Sequence, residues 1–396
     1  MSDNLDGSPR LLIAATIPAT IKAFLLPYAD HFRALGWRVD AMASDISSAQ
    51  ELTPHFDAVH DVTWSRNPYS IGNLAGTPAK IREIATQGRY DIVHTHTPVA
   101  SFVTRYSLKK LTLKSRPKIV YTAHGFHFFK GGKKSKNMLY RGIERLAGRW
   151  TNRLVVINHD DYEAALKYKI TKQDRLIYMP GIGLDFARYD ADSISPIEVR
   201  QARDELGLKA DDVLFTMTAE FNPGKRHEDV ITALSRTKNT KVHVAFAGAG
   251  ALREKIHQMA RTLMVHQRTH FLGQIRDPRP LMLASRATLM PSEREGLSRS
   301  AMESACLGIP VIGADSRGVI DVIQPHRGLA YPTGDVLALR DAMLQLYEEP
   351  YPPVTPDPAW RIENLIRLHD EMYGDLLDER QKSDDSPAET MRDEAG

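Results

Sequence analysis

Residues 291–312, PSEREGLSRSAMESACLGIPVI, decide the fold predicted for this chain. A short apolar run at 287–290 precedes the stretch, and a second apolar run at 309–312 closes it. Between Gly296 and Leu307, apolar residues recur at steps of three to four, which is the spacing of one helix face. Gly308 stands where a helix C-cap belongs. The order strand, loop, helix, strand is the crossover unit of a parallel α/β sheet.

The loop and first turn of this predicted helix are suited to holding a phosphate. A helix that starts behind a strand offers free backbone N–H groups and a partial positive charge. Gly296 lets that backbone approach a ligand closely. Glu295 and Glu303 are eight positions apart, about two helical turns, so both are expected to face one cleft. A phosphate pocket flanked by carboxylates fits a sugar nucleotide; an amphipathic helix with two solvated acids is the alternative.

Two further stretches of the second half fit the same ligand. Lys225 stands at the start of a predicted helix, where its charge adds to the helix dipole and suits a diphosphate. Gly248 and Gly250 follow a predicted strand at 242–247 and open a helix, so this backbone is expected to pass close to the nucleotide. A solvated lysine at a helix start is the alternative reading for Lys225.

The first half begins with a strand at 10–15, a helix at 21–35 that ends at Gly36, and a strand at 37–43. This β-α-β order predicts a doubly wound α/β domain. His94 and His96 alternate at the end of a later strand, so both are expected to lie on one face. Zinc would need further ligands at a diagnostic spacing, and the sequence offers none. We therefore expect these histidines to be polar groups that line the cleft.

Composition sets wide limits on the chain. At 396 residues it is long enough for two domains, and 42% hydrophobic residues are ordinary for a globular protein. No apolar run approaches the ~20 residues of a membrane span, and MSDNLDGSPR lacks the apolar core of a signal peptide. The single cysteine rules out an internal disulfide. We expect a cytoplasmic protein.

A basic segment lies within this nearly neutral chain. Residues 101–153 hold fourteen Lys and Arg against one acid, Glu144. Apolar residues are interleaved with the charges, so an anionic membrane surface is one expected partner and a solvated basic face is the alternative. No recognised nucleic-acid-binding motif accompanies the patch, so no nucleic acid is expected. The candidate membrane residues and the interleaved apolar ones are Lys130, Lys133, Lys134, Lys136, Phe126, Phe128, Phe129, Met138, Leu139 and Tyr140.

Several motifs together resemble one known family. The Glu-x7-Glu spacing on a strand–helix unit, the turn AEFNPGK (219–225) and the stretches YTAHGFHF (121–128) and NHDDY (158–162) occur in the order found in family 4 of the GT-B glycosyltransferases. The last two resemble the branch that builds bacterial capsular and exopolysaccharide repeat units on a lipid carrier. The resemblance covers roughly residues 10–378.

The resemblance implies a fold and an activity. Two Rossmann-like doubly wound domains face a central cleft, and a C-terminal helix returns to the first domain. The enzyme moves a hexose or N-acetylhexosamine from a nucleoside diphosphate sugar, expected to be a UDP-sugar, to a lipid-linked saccharide with retention of configuration. It needs no metal, and it lies at the inner face of the membrane.

The resemblance also implies roles for particular residues. His124 and Glu295 contact the transferred sugar, Glu303 holds the ribose hydroxyls, and the 270–275 stretch HFLGQI holds the base. Glu220 and Asn222 have an uncertain role, because most family members carry arginine at the position of Glu220; orienting Lys225 or Arg226 is one option. The loop 16–20 also lacks the family's Gly-Gly, so no phosphate contact is expected there. The expected donor-binding residues are Lys225, Gly296, Leu297, Ser298, Glu303, Gly248, Gln274 and Ile275.

The predicted domain plan has five parts. Residues 1–9 form a disordered lead, 10–185 the acceptor-side domain, 186–355 the nucleotide-sugar domain, 356–379 the helix that crosses back, and 380–396 a disordered tail. A mobile loop is expected at 130–137, followed by a helix at 139–150. Three rivals remain for the function: a sugar-nucleotide isomerase of the same fold, a non-catalytic partner of another transferase, and a nucleic-acid binder.

Overall fold

The computed structural model describes residues 7–64, 76–112, 115–324 and 326–385. The chain divides into two compact units. The first unit contains residues up to 157, residues 161–179 and the residues after 362; the second contains 158–160 and 180–362.

The first unit is built on a seven-stranded parallel sheet with the strand order β3-β2-β1-β4-β5-β6-β7. Its strands are β1 (Arg10–Ala14), β2 (Arg38–Ala43), β3 (Ala58–Asp61), β4 (Ile92–His96), β5 (Lys118–Ala123), β6 (Arg153–Val156) and β7 (Leu176–Tyr178). Its helices are α1 (Pro18–Phe24), α2 (Leu26–Ala34), α3 (Gly76–Gly88), α4 (Pro98–Leu108), α5 (Lys134–Gly148) and α6 (His159–Lys167), the last of which starts in the segment assigned to the second unit.

The second unit is built on a six-stranded parallel sheet with the order β10-β9-β8-β11-β12-β13. Its strands are β8 (Val213–Thr218), β9 (Val242–Ala247), β10 (Thr269–Gly273), β11 (Ala287–Met290), β12 (Val311–Ala314) and β13 (Gly328–Tyr331). Its helices are α7 (Pro196–Asp204), α8 (His227–Arg236), α9 (Arg253–Thr262), α10 (Arg279–Leu283), α11 (Arg299–Cys306), α12 (Ile320–Ile323) and α13 (Val336–Glu348).

Both sheets bury their central strands on both faces. All four residues of β11 and of β12 are buried, as are four of the five residues of β1. Near-continuous apolar runs are what parallel strands covered by helices require. In each unit the strand order reverses beside the first strand of the unit, at β1/β4 and at β8/β11. The predicted α/β class with two doubly wound sheets is therefore confirmed.

The last helix, α14 (Ile362–Asp385), packs on the first unit as predicted. Tyr373 and Leu376 are buried there, and His31 Nε2 lies 3.0 Å from Asp370 Oδ1. The prediction of disorder from residue 380 onward is wrong for its first part. The helix continues to Asp385, because the Arg380 guanidinium donates to the Tyr90 and Asp91 carbonyl oxygens at 3.2 and 3.3 Å. Residues 1–6 and 386–396 lie outside the described residues.

Two other local predictions need correction. The helix expected at 21–35 is two helices that meet at Leu25, since Pro27 has no N–H to continue the first one. The loop expected at 130–137 is helical from Lys134. Asn137 fixes it: its Nδ2 donates to the Phe129 carbonyl oxygen at 2.7 Å, and its Oδ1 accepts from the Phe129 N–H at 3.3 Å.

Candidate functional site

The candidate site of the second unit lies at the carboxyl ends of β8 and β11, where the strand order reverses. Ligands of open α/β sheets collect at such switch points, because the chain leaves neighbouring strands toward opposite faces. Helix α11 starts here with Ser298 as its N-cap. The helix is shorter than predicted, since residues 296–298 belong to the loop, while Gly308 has the left-handed φ of 75° expected after a helix end.

The loop that follows β12 is hydrogen-bonded to the loop that precedes α11. The Glu295 N–H donates to the Arg317 carbonyl oxygen and the Ser298 N–H to that of Gly318, both at 2.9 Å. Gly318 is required at this contact: its φ is 73°, and a Cβ there would lie 2.5 Å from the Gly296 carbonyl oxygen. Glycines stand at 313 and 318 in the sequence, but nothing in the sequence pairs this segment with the loop before α11.

This pairing changes which groups remain for a ligand. The Ser298 N–H, expected to face a phosphate, is already used by Gly318. The N–H groups of Gly296 and Leu297 donate to no residue in the described part of the chain. The Ser298 hydroxyl also lacks a hydrogen-bond partner among the described residues, although the residue is only 2% exposed. Ser298 therefore offers its hydroxyl rather than its amide.

Lys225 and Glu295 form an ion pair at this site. Lys225 Nζ lies 2.5 Å from Glu295 Oε1, and the two side chains are 24% and 16% exposed. Lys225 ends a short 3-10 turn at 223–225, and Arg226 behind it has a left-handed φ of 53°. The Glu293 N–H donates to the Gly224 carbonyl oxygen at 2.9 Å, so the two loops are also joined through their backbones.

Glu303 is hydrogen-bonded to two other residues of the second unit. The Tyr189 hydroxyl donates to Glu303 Oε1 at 2.6 Å, and Arg299 Nε donates to the same oxygen at 2.9 Å. Burial and the adjacent carboxylate raise the pKa of Tyr189 above its ordinary value, so the phenol stays a donor. Glu295 precedes α11, whereas Glu303 lies within it, and the expectation that both carboxylates face one cleft stays a prediction. Tyr189 was missed, since no pattern in the sequence links it to Glu303.

A cavity of about 540 Å³ lies beside α11, within the usual size range of a small-molecule pocket. The Ser300 hydroxyl of α11 donates to the carbonyl oxygen of Thr218, a lining residue, at 2.9 Å. Four of the predicted site residues, Glu220, Gly248, Gln274 and Ile275, line it. The full lining is Thr218, Ala219, Glu220, Ala247, Gly248, Ala249, Gly250, Gln274, Ile275 and Pro278.

The two glycines of this cavity bring neighbouring loops into contact. A Cβ on Gly248 would lie 2.0 Å from the Ala219 carbonyl oxygen, and a Cβ on Gly250 would lie 2.6 Å from Phe221 backbone atoms. The Gly248 N–H donates to the Gly273 carbonyl oxygen at 2.7 Å. The glycines therefore let the loops after β8, β9 and β10 close around one space.

Glu220 stands at the rim of this cavity and is exposed. Its Oε2 accepts a hydrogen bond from Asn222 Nδ2 at 3.0 Å. The sequence left open that Glu220 orients Lys225 or Arg226, but these two residues pair with other carboxylates. Lys225 pairs with Glu295, and Arg226 pairs with Asp229 at 2.6 Å.

His124 belongs to the first unit, directly after β5. Its Nε2 lies 3.0 Å from Nδ1 of His96, and its ring stacks on Phe24 with the ring centres 6.0 Å apart. Burial lowers the pKa of His124 to about 4 and the pKa of His96 well below its ordinary value. His94 and His96 were expected to share one face, and their ring centres lie 4.2 Å apart.

The four candidate membrane lysines, Lys130, Lys133, Lys134 and Lys136, are all exposed. The interleaved aromatics differ from expectation, because Phe126 and Phe128 are 1% and 3% exposed and belong to the core. On α5, in contrast, Met138 is 69% exposed and Leu139 and Leu146 are each 44% exposed. Within the described residues, no helix has the length and hydropathy needed to span a membrane.

Two protein-family models match the chain. The model for glycosyl transferases group 1 matches residues 198–359, and the model for glycosyltransferase family 4 matches residues 24–182. EpsD of Bacillus subtilis (strain 168) is 31% identical over 344 residues, which cover 86% of this chain and 88% of EpsD. The chain belongs to family 4 of the GT-B glycosyltransferases, and it is therefore a transferase.

One further relative and two solved structures are also similar to the chain. The UDP-Gal:alpha-D-GlcNAc-diphosphoundecaprenol alpha-1,3-galactosyltransferase of Escherichia coli is 26% identical over 58% of this chain and 59% of its own length. Anabaena Alr3699/HepE, solved in complex with UDP and glucose, has a TM-score of 0.75 at 18% identity and covers 92% of this chain and 99% of its own. Sucrose-phosphate synthase from Thermosynechococcus elongatus has a TM-score of 0.76 at 18% identity, covering 93% and 100%. At these identities the solved structures bear on the fold alone.

Proposed function

We propose that this glycosyltransferase moves a hexose or N-acetylhexosamine from a UDP-sugar to a lipid-linked saccharide, with retention of configuration, in the synthesis of a capsule or exopolysaccharide. The observation that carries the donor part is the set of hydrogen-bond donors around the start of α11. The Gly296 and Leu297 N–H groups and the Ser298 hydroxyl have no partner among the described residues, and Lys225 pairs with Glu295 of the same loop. They suit a diphosphate, which is anionic and accepts several hydrogen bonds.

The neighbouring cavity is the proposed place of the nucleoside. It adjoins α11 through the Thr218–Ser300 hydrogen bond, and Gln274 and Ile275 are proposed to contact the base. Glu303 is proposed to accept from the ribose hydroxyls, which requires it to share or exchange its Tyr189 and Arg299 partners.

The choice of substrates draws on the relatives. The Escherichia coli relative is named for UDP-galactose as donor and a diphosphoundecaprenol-linked sugar as acceptor, and the Anabaena structure contains UDP and glucose. We carry both features to this chain as part of the proposal, at the level of a UDP-sugar and a lipid-linked saccharide. A donor screen identifies the sugar that is moved.

The proposed reaction breaks the bond between the anomeric carbon and the diphosphate oxygen. The acceptor hydroxyl oxygen forms the new bond on the same face, and its proton passes to the departing diphosphate. The main demand is to stabilise the negative charge on the leaving group, which Lys225 and the Gly296 and Leu297 amides would meet without a metal ion. Glu295 and His124 are proposed to bind hydroxyls of the transferred sugar.

A donor screen followed by a transfer assay tests this function. Thermal unfolding would be followed with a panel of nucleoside diphosphates and their sugars, and we expect UDP and one or two UDP-sugars to raise the midpoint. The stabilising donor would then be incubated with a lipid-linked saccharide fraction, and the anomeric configuration of the product read by NMR. Transfer with retention supports the proposal.

Other outcomes of this assay decide against it. Conversion of the donor to another sugar nucleotide without acceptor would favour an isomerase of the same fold. Stabilisation by UDP without turnover on any acceptor fraction would favour a binding partner of another transferase. A product of inverted configuration would contradict the retaining mechanism.

We also propose that the start of α5 contacts an anionic membrane at the cytoplasmic face. Support comes from the four exposed lysines at and before the helix start, followed along α5 by exposed Met138 and Leu139 and, in its last turn, exposed Leu146. Lysines at a helix start oppose the helix dipole, so anionic headgroups would relieve an unfavourable arrangement. Each lysine near such a surface contributes about 1 kcal/mol.

Vesicle sedimentation tests this contact. Changing Lys133, Lys134 and Lys136 to Gln should reduce binding to vesicles of anionic phospholipid at low salt, while vesicles of neutral lipid bind neither protein. The matched control changes three exposed lysines of the second unit, Lys209, Lys238 and Lys255. Equal binding of the two triple variants would contradict the proposal and leave a solvated basic face.

A further inference from the structure

The carboxyl ends of β4 and β5 bring two histidines into direct contact. His96 is the last residue of β4, and His124 follows the last residue of β5. The two strands are parallel neighbours, and His96 lies opposite Thr122. His124 is two residues after Thr122, so it is on the same side of the sheet. His96 Nδ1 and His124 Nε2 are 3.0 Å apart, which is hydrogen-bonding distance.

The shared bond leaves one ring nitrogen of His124 for a ligand. Burial keeps both imidazoles neutral, as the lowered pKa values of His96 and His124 indicate. A neutral imidazole has one donor and one acceptor nitrogen, so a bond at Nε2 also decides the role of Nδ1. No described residue hydrogen-bonds Nδ1 of His124, and the residue is partly exposed.

The ring of His96 is itself held firmly. His96 is 3% exposed, and its ring lies against that of His94. His94 is fixed from both sides: Tyr373 OH lies 2.5 Å from its Nδ1, and Thr122 Oγ1 lies 2.7 Å from its Nε2. Tyr373 comes from α14, so the returning helix supports this row of rings.

Backbone strain at the next residue points to the same place. Thr97 has φ 66° and ψ 139°, which a β-branched residue rarely adopts. Its Oγ1 accepts from the Thr16 N–H at 3.1 Å, and this bond holds the chain in that turn. Such strain costs about 1–3 kcal/mol and persists mainly where function needs the geometry.

We propose that His96 is a positioning residue for His124: it binds Nε2 of His124, ties the tautomer of that ring to its own and directs Nδ1 toward the transferred sugar. The role of His124 rests on the proposed function. His96 has no proposed contact with the substrates, because its Nδ1 is bonded to Nε2 of His124. Without His96, the ring of His124 can turn and populate both tautomers, which lowers the fraction that is ready to bind a sugar hydroxyl.

The test compares His96→Phe, which keeps a ring without nitrogens, with His96→Gln, which keeps a hydrogen-bonding side chain. NMR of protein labelled with 15N in histidine reports the tautomer of His124, and transfer kinetics report turnover. We expect one tautomer in the wild type and a mixture in His96→Phe. We expect kcat to fall roughly 10- to 100-fold with the donor KM unchanged. Losses of this size follow the removal of residues that orient metal-binding histidines. His96→Gln should recover part of both.

His94→Phe is the matched control, because it removes a buried histidine of the same strand that makes no hydrogen bond to His124. It should lower stability but keep the His124 tautomer. An unchanged tautomer in His96→Phe, or an equal change in both variants, overturns the proposal. If His96→Phe does not fold, the same readings on His96→Ala decide, with wild-type behaviour as the contradicting result. A wild type that transfers no sugar overturns the proposed function instead, while NMR still reports the histidine pair.

Discussion

Lys225 Nζ lies 2.5 Å from Glu295 Oε1, so the cation best placed for a diphosphate is paired with the carboxylate expected to bind the sugar. The pair is mostly shielded from water, at 24% and 16% side-chain exposure. It also joins the loops after β8 and β11, which reach the site from adjacent strands. A bound diphosphate would take Lys225 from Glu295 and free the carboxylate for sugar hydroxyls.

Changing Lys225 to Ala should weaken UDP binding by roughly 10- to 100-fold, since charge-assisted hydrogen bonds contribute about 1.5–3 kcal/mol. Calorimetry with UDP measures the loss. Lys255→Ala, at an exposed position of the same unit, serves as control and should bind like the wild type. Equal affinity in the two variants would remove Lys225 from the site.

Changing Glu295 to Ala should abolish sugar transfer while the protein remains folded. UDP binding should be equal or tighter, because Lys225 is released from its carboxylate partner and one negative charge leaves the phosphate site. The two effects are separated by a transfer assay and by calorimetry. Wild-type turnover in this variant would refute the assignment of Glu295.

Changing Ser298 to Ala should weaken UDP binding without lowering stability. Its buried hydroxyl has no partner among the described residues, so removing it leaves no hydrogen bond broken in the free protein. Ser304→Ala on the same helix is the matched control: its hydroxyl bonds Thr288 Oγ1 at 2.7 Å and the Ile309 carbonyl oxygen at 3.0 Å. That variant should lose about 1–3 kcal/mol of stability and retain UDP affinity. The reverse pattern would contradict the proposed role of Ser298.

Changing Gly248 to Ala should destabilise the second unit by about 1–3 kcal/mol, because the new methyl group meets the Ala219 carbonyl oxygen at 2.0 Å. UDP affinity should fall with it, since the same loops line the cavity. Gly374→Ala is the control: it lies in α14 with no atom within 4 Å of the added Cβ, and should gain about 0.5–1 kcal/mol. Denaturant unfolding of both variants provides the comparison, and a neutral Gly248→Ala would contradict the packing argument.

Acid should destabilise the first unit through its buried histidines. Burial lowers the pKa of His94 and His96 well below the ordinary value, and that of His124 and His369 to about 4. The unfolded chain binds these protons near pH 6.5, so the stabilisation is complete above that pH and is lost as pH falls toward 4. Each histidine contributes at most about 1.4 kcal/mol per pH unit in this window.

Denaturant unfolding at pH 7, 6 and 5 measures this dependence. His369→Gln removes one buried histidine from the group and should reduce the slope of unfolding free energy against pH. A flat profile between pH 7 and 5 in the wild type would show that the histidines are already protonated in the folded protein or accessible to water.

Apolar runs predicted the central strands of both sheets, because strands buried on both faces leave such runs in the sequence. Residues 287–290 and 309–312 became β11 and the approach to β12 for this reason. No strand was predicted where β3, β7 and β13 lie. The start of α11 was placed three residues too early. Ser298 is the last residue before the first helical turn, whereas Gly296 and Leu297 fit a helical spacing equally well in the sequence.

Contacts in the site between segments that are distant in the sequence could not be predicted from the sequence. Nothing in a spacing pairs Ser298 with Gly318 or Glu303 with Tyr189, because those contacts depend on how loops from different strands meet. The helical start at Lys134 was missed for a similar reason: the bonds from Asn137 to Phe129 bring together residues eight positions apart. Residues with a distinctive side chain, such as Lys225 in a turn, were easier to predict from the sequence than the residues that they contact.

A crystal structure of the protein with a bound UDP-sugar tests the central claim most directly. The account predicts the diphosphate at Lys225 and the Gly296–Leu297 amides, the base against Gln274 and Ile275, and the Lys225–Glu295 distance longer than 2.5 Å. A nucleotide bound elsewhere, or a diphosphate that leaves the start of α11 untouched, would contradict it.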